Sequence, residues 1–173
     1  MNLDDVDGRF GEAWAGAAPN GSHINLVIGR RGSPTAAAAA ASMADVRPGH
    51  APLLLCLGAG NLVRPATVVR NKTTIDSEHL GFLTWGAAQL GIGQGVCDAV
   101  EEGLIPLDHV DDVVLLIAVH VDGAGDDHTA VREANRRATR DAIADALLAD
   151  HRERALEILA SRETARNRFY RGD

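Results

Sequence analysis

Residues 23–28 (HINLVI) alternate polar and apolar side chains at first and then become fully apolar, as a strand does on entering a core. The run GRRGS at 29–33 breaks it. Ser33 and Pro34 then supply an N-cap and a first helical residue, so the six alanines from Ala36 to Ala41 predict a small-faced helix over residues 34 to about 46, packed against a sheet or a subunit. Beyond Pro48 and Gly49, PLLLCL at 52–57 predicts a buried strand. Residues 66–70 predict another extended segment, with 72–75 extended after it. Asp76 and Ser77 offer capping oxygens to a short helix, and residues 86–103 predict a longer helix rich in Ala and Gly. Its late acids, Asp98, Glu101 and Glu102, lie at the unfavourable end of the helix dipole, which calls for cationic partners.

The most apolar run, VVLLIAV, falls within residues 112–121 and predicts a central strand. A long helix over about 127–149 follows, with Val131, Ala134, Ala138 and Ala142 on one stripe and Arg132, Arg136, Arg137 and Arg140 around it. From residue 151 the chain is a charged tail, helical at first and frayed at its end. Strands joined sometimes by turns and sometimes by helices imply an α+β fold, a mixed β-sheet with helices packed on one face, in one domain spanning 1–173. No internal repeat or linker interrupts it.

Composition narrows the function classes. Hydrophobic residues make up 46% and aromatics 3%, so the core is built from Ala, Val, Leu and Ile. A formal charge of −7 argues against nucleic acid as the main partner. No stretch reaches the ~18 apolar residues needed to span a bilayer, and the polar, acidic residues 1–7 lack a secretory signal's basic and apolar regions. The expected location is the cytoplasm. Cys56 and Cys97 each sit in an apolar run without a metal-spaced companion and are expected to be buried free thiols.

Two glycine motifs and three histidines invite other readings. GIGQG at 91–95 lacks the G-x-G-x-x-G spacing of dinucleotide sites and has no strand leading into it, which favours tight helix packing. GRRGS at 29–33, ahead of a proline-started helix, suits either an anion such as a cofactor's phosphate tail or a simple N-capped turn. His109, His120 and His128 stand near acids without the fixed helical spacing of metal ligands, so no metal is expected.

Four blocks resemble the formaldehyde-activating enzyme family: HINLVIGRRGSP at 23–34; PLLLCL, NLVRPATVV and NKTTI within 52–75; WGAAQ and DAVEEGLIP within 85–106; and DDVV with ANRRAT within 111–139. The resemblance covers about 120 residues with hardly any insertion. It implies a fold like the second domain of ribosomal protein S5, a homopentamer, and a pterin cleft between neighbouring subunits. It also implies condensation of formaldehyde with tetrahydromethanopterin, or a related reduced pterin, to the 5,10-methylene derivative and water, in one-carbon metabolism and formaldehyde detoxification.

By the same resemblance His23 is the general acid, and Asn25, Leu54, Lys72, Thr74 and Gln89 contact the pterin. Lys72, Thr74 and Gln89 keep the family's residue types. Asn25 replaces an Asp, exchanging an acceptor-only anion for a neutral amide. Further departures are Trp85-Gly86-Ala87-Ala88-Gln89 for Phe-Gly-Pro-Ala-Gln, Ala134 and Arg136 for the aromatics beside Asn135, and Asn167-Arg168-Phe169 for His-Pro-Phe.

The chemistry suits those residue types. Formaldehyde and an amine give a carbinolamine, which loses water to an iminium before a second nitrogen closes the ring. The departing hydroxide needs a proton, and imidazole, with a reference pKa of ~6.5, is suited to give one near neutral pH, an effect worth ~10²–10⁴-fold. Two further readings are a paralogue that binds pterin or formaldehyde as carrier or sensor without turnover, and a scaffold kept for assembly.

Overall fold

The computed structural model describes residues 3–166. Chain order runs β1 (Arg9–Ala15), β2 (Ser22–Arg30), α1 (Pro34–Ser42), β3 (Leu53–Leu54), β4 (Ala66–Asn71), α2 (Glu78–Phe82), α3 (Gln89–Glu101), β5 (Val113–Val121), α4 (His128–Leu148) and α5 (His151–Ser161). The strands form one sheet in the order β1-β2-β5-β4-β3, in which β4 and β5 are parallel and every other pair is antiparallel. This is the mixed sheet of an α+β fold.

Alternation along β2 and β5 separates two faces. Ile24, Leu26 and Ile28 with Leu115, Ile117 and Val119 are buried on the inner face, against Val131, Ala138 and Ala142 of α4 and Ile92, Val96 and Ala99 of α3. The stripe expected on α4 is thus the buried one. Asp127, whose carboxylate accepts from the amides of Thr129 and Ala130, caps it.

Helix α1 takes the opposite face. Gly29 alternates with Ile28, and a Cβ there would come within 2.8 Å of the Ala36 amide nitrogen, so the missing side chain is what lets α1 lie flat on the sheet. Arg70 ties the far end down by donating to the Ser42 carbonyl at 3.1 Å. The helix stops at Ser42, short of position 46.

Several elements differ from the sequence reading. β1 has no counterpart in it. The strand placed at 52–57 narrows to Leu53–Leu54, with an isolated bridge from Cys56 to Leu62, and 72–75 is a bent loop. The two helices placed on either side of Gly86 form one continuous rod, because a π-helical turn over Leu83–Ala88 joins α2 to α3 without a break. Cys97 is exposed and Cys56 half-buried, where burial was expected: on α3 the core-facing positions are Val96 and Ala99, which leaves Cys97 pointing away. Both thiols are free.

The glycines of GIGQG serve packing. A Cβ on Gly91 would lie 2.2 Å from the Arg132 carbonyl oxygen, and one on Gly95 would lie 2.4 Å from that of Arg136, so α3 and α4 touch backbone to backbone. Gly93 meets Leu57 instead. Two of the three late acids find the partners they called for, Arg136 closing a bidentate pair on Asp98 at 2.6 and 2.7 Å and Arg140 pairing with Glu102. Helix α5 begins the charged tail, as expected, and buries no residue. Positions 167–169 and the frayed end lie outside the described residues.

Candidate active site on the open face of the sheet

The turn before α1 is already filled by the chain's own anion. Asp7 accepts from the Arg30 amide at 2.9 Å, the Ser33 hydroxyl at 2.5 Å and the Thr35 hydroxyl at 3.1 Å, while Ser33 caps the helix by accepting from Ala36. These bonds, that of Ser33 first, hold the Asp7 carboxyl below the usual carboxylate range. GRRGS is therefore a capped turn, and the anion alternative loses its vacancy.

Away from α1, the outward positions of β1, β2 and β5 line up by register. Trp14 pairs with His23, His23 with His120, and Glu12 with Asn25. Lys72 follows β4 directly and is pinned by its amide, which donates to the Val119 carbonyl at 2.7 Å. On the inner side Ser22 donates to the buried Asn135 at 2.8 Å, and Asn135 donates to the Val131 carbonyl, so α4 fixes the residue just before His23.

His23 is held on three sides. The Trp14 indole stacks on its ring at 3.7 Å between centroids and 6° between planes. Its Nε2 lies 2.7 Å from Glu12 Oε1, and its Nδ1 lies 3.1 Å from Lys72 Nζ. Because an ammonium can only donate, Lys72 donates to Nδ1; the proton of the neutral ring then sits on Nε2 and is donated to Glu12. Glu12 also accepts from the Trp14 indole at 3.1 Å, which locks the stack. Asn25 Nδ2 is 3.5 Å from His23 Nε2.

Charge and burial set the protonation. Burial pushes the His23 pKa below its ordinary value and the Lys72 ammonium adds to this, while Glu12 opposes both. Burial likewise lowers Lys72 to about 8, again against the pull of Glu12. At neutral pH the pair rests as a neutral imidazole beside an ammonium.

The structure brings His23, Asn25 and Lys72 together. Thr74 is exposed two residues beyond Lys72, and its hydroxyl donates to His50 Nε2 at 2.9 Å; His50 Nδ1 in turn donates to the Asn71 carbonyl. Leu54 is exposed on the edge strand β3. Gln89 stands apart at the start of α3, reaching the Cys56 carbonyl at 3.5 Å beside a depression of about 190 Å³ lined by Leu57, Gly58 and Trp85. Glu12 and Trp14, which touch His23, were missed along with β1. Their signal was the Glu-x-Trp spacing, which puts both on one strand face.

Thr73 engages His120: its hydroxyl donates to the Val121 carbonyl and accepts from Nδ1, each at 3.0 Å. Among the described residues, no group of three or more His, Cys, Asp or Glu is placed to share a metal ion. Nor, among them, is any helix long and apolar enough to cross a membrane.

Known proteins share this arrangement of sequence. The chain is 36% identical over 159 residues to the 5,6,7,8-tetrahydromethanopterin hydro-lyase of Methanosarcina barkeri, covering 92% of this chain and 88% of that protein. It is 37% identical over 135 residues to the bifunctional enzyme Fae/Hps of Methanosphaera stadtmanae, covering 78% of this chain and 33% of that protein. It is 34% identical over 139 residues to the enzyme of the same name in Archaeoglobus fulgidus, covering 80% of this chain and 35% of that protein. The chain thus spans about a third of each bifunctional protein and most of the hydro-lyase. A profile described as formaldehyde-activating enzyme (Fae) matches residues 10–170, from the second residue of β1 to beyond α5, and on this match the chain belongs to the formaldehyde-activating enzyme family.

Proposed function

We propose that this protein condenses formaldehyde with tetrahydromethanopterin, or a closely related reduced pterin, to give the 5,10-methylene derivative and water, with His23 as the group that moves the proton. The observation carrying this is the imidazole fixed between Lys72 and Glu12 beneath Trp14. A ring that rests neutral accepts the proton released when an amine adds to formaldehyde and returns it to the departing hydroxyl as the iminium forms. Glu12 stabilises the imidazolium between those two events. Orientation of the reactants supplies much of the remaining acceleration.

Asn25, Leu54, Lys72, Thr74 and Gln89 are the proposed pterin contacts. Gln89 stands apart from His23 within one chain, which favours a cleft completed by a second copy in a homo-oligomer, a pentamer by family resemblance. The cytoplasm, where reduced pterins are made and used, is the proposed location. The test is formation of the methylene-pterin above the spontaneous rate, with tetrahydromethanopterin and tetrahydrofolate assayed side by side. Acceleration with neither would end the enzymatic reading; tight pterin binding without acceleration would replace it with a carrier.

A further inference from the structure

Of the chain's seventeen Lys and Arg residues, Lys72 is the one lysine. Guanidinium groups stay protonated and are poor nucleophiles toward a carbonyl, whereas an ε-ammonium becomes a good one once it gives up a proton. The chain therefore carries a single side-chain amine, and that amine lies 3.1 Å from the imidazole of His23. Among the side chains, the readily formed free amine is thus confined to this site.

We propose that Lys72 is the covalent nucleophile of the condensation, capturing formaldehyde as an iminium and passing its methylene group to the pterin. The inference rests on formaldehyde being the substrate, as proposed above. Lys72 is half-buried and held by its own backbone bond to β5, so its amine is positioned and partly stripped of water. With its pKa brought down to about 8, it holds roughly 200-fold more free base at pH 7 than an ordinary lysine near ~10.4.

The proton accounting closes on His23. The Lys72 ammonium passes a proton to Nδ1 of His23, and the freed amine attacks formaldehyde, forming the new C–N bond; a proton shift from nitrogen to oxygen gives the carbinolamine. Loss of the positive charge on Lys72 removes one of the influences that keep the ring neutral, so the imidazolium, paired with Glu12, survives the step. Its proton then goes to the carbinolamine hydroxyl; the C–O bond breaks, water leaves and the Lys72 iminium remains. A pterin nitrogen adds to that carbon. Lys72 accepts a proton from that pterin nitrogen and departs as the free amine; the second pterin nitrogen then closes the ring, and the proton it sheds returns Lys72 to the ammonium. No electrons change hands, and the proton required by the leaving hydroxyl is the one the lysine shed.

The test uses the full-length protein, isotopically labelled formaldehyde and cyanoborohydride at pH 7, which turns an iminium into a stable N-methyl group read by peptide mass spectrometry. The chain's α-amino group serves as internal reference. Lys72 is expected to methylate at least ~10-fold faster, relative to that reference, in the folded protein than in urea, and His23→Ala is expected to slow it. In parallel, Lys72→Arg, which keeps the charge, is expected to lower kcat for methylene-pterin formation by ~10²-fold with a smaller change in KM. If the wild-type protein accelerates condensation but Lys72→Arg retains kcat, or folding gives Lys72 no advantage in methylation, covalent capture is overturned and the proposed activity stands. If Lys72 is methylated preferentially but condensation is not accelerated, capture stands and the condensation reading falls.

Discussion

Replacing Glu12 with Gln removes one negative charge from the His23 pair while leaving a carbonyl oxygen that can still accept from Nε2. Glu12 is 57% exposed, so its attraction for an imidazolium is screened by solvent and belongs with exposed pairs worth ~0.2–1 kcal/mol. At ~1.36 kcal/mol per pKa unit, the variant's His23 pKa falls by a further ~0.15–0.7 unit. The same energy is lost wherever the imidazolium forms during the reaction, which lowers the rate about 1.5- to 5-fold. Glu12→Ala also removes the acceptor that sets the tautomer and releases the Trp14 indole, so its loss is larger, about 10-fold or more. Titration of the His23 ring by NMR reads the first quantity, and the pH dependence of methylene-pterin formation reads the second. A shuttle that must rest neutral fails as pH drops through its pKa, so the acid limb of Glu12→Gln moves to lower pH. An unchanged or raised His23 pKa in that variant would refute the reasoning.

His23→Ala removes the proton carrier but no ligand anchor, so kcat is expected to fall ~10²-fold or more with pterin affinity nearly intact, as measured by single-turnover kinetics and calorimetry. Asn25→Asp places a carboxylate about where the amide now meets His23 Nε2 at 3.5 Å, so NMR should show a raised His23 pKa and binding assays tighter pterin; weaker binding would sink the proposed contact. Gly95→Ala pushes a methyl against the Arg136 carbonyl and is expected to cost ~1–3 kcal/mol in denaturant unfolding, with wild-type stability as the refuting result. Because the folded His23 pKa lies below its unfolded value of ~6.5, the unfolded chain binds the extra proton first and the folded state loses stability as pH falls below that value. His23→Gln should shrink the stability difference between pH 7 and 5.5; an equal or larger difference would contradict this.

Strands β2 and β5 were legible because their core positions carry large apolar residues at a clean period, as in Leu115, Ile117 and Val119, and helix α4 because its smaller core residues Val131, Ala134, Ala138 and Ala142 recur at helical spacing. β1 was not, and for a physical reason. Its inward positions are Gly11, Ala13 and Ala15, small because α4 presses on them: a Cβ on Gly11 would lie 2.0 Å from the Ala142 carbonyl oxygen. Phe10 and Trp14 point outward, so the hydrophobic alternation runs opposite to the burial. With β1 went Glu12 and Trp14, two of the groups that define the environment of His23. His23, Asn25 and Lys72 were reached through family resemblance, since 49 residues separate His23 from Lys72 and periodicity is blind to the register that joins them. Cys97 misled because its apolar neighbours say nothing about which side of a helix faces the core.

The π-helical turn at Leu83–Ala88 also bears on how the chain tolerates changes in length. A π-turn accommodates a surplus residue, and each residue of an α-helix advances its faces by about 100°. Leu80 on one side of the turn, Leu83 at its start, and Ile92, Val96 and Ala99 on the other side are all buried, so the two halves of the rod are phased separately. Removing one residue inside 83–88 relaxes the turn toward a plain α-helix and leaves both flanking faces in place. Removing one between Gly91 and Gly95 instead swings a glycine off α4 and drives side chains into its backbone. Within the rod, a single-residue deletion is expected to be tolerated best in the stretch containing Trp85 and Gly86.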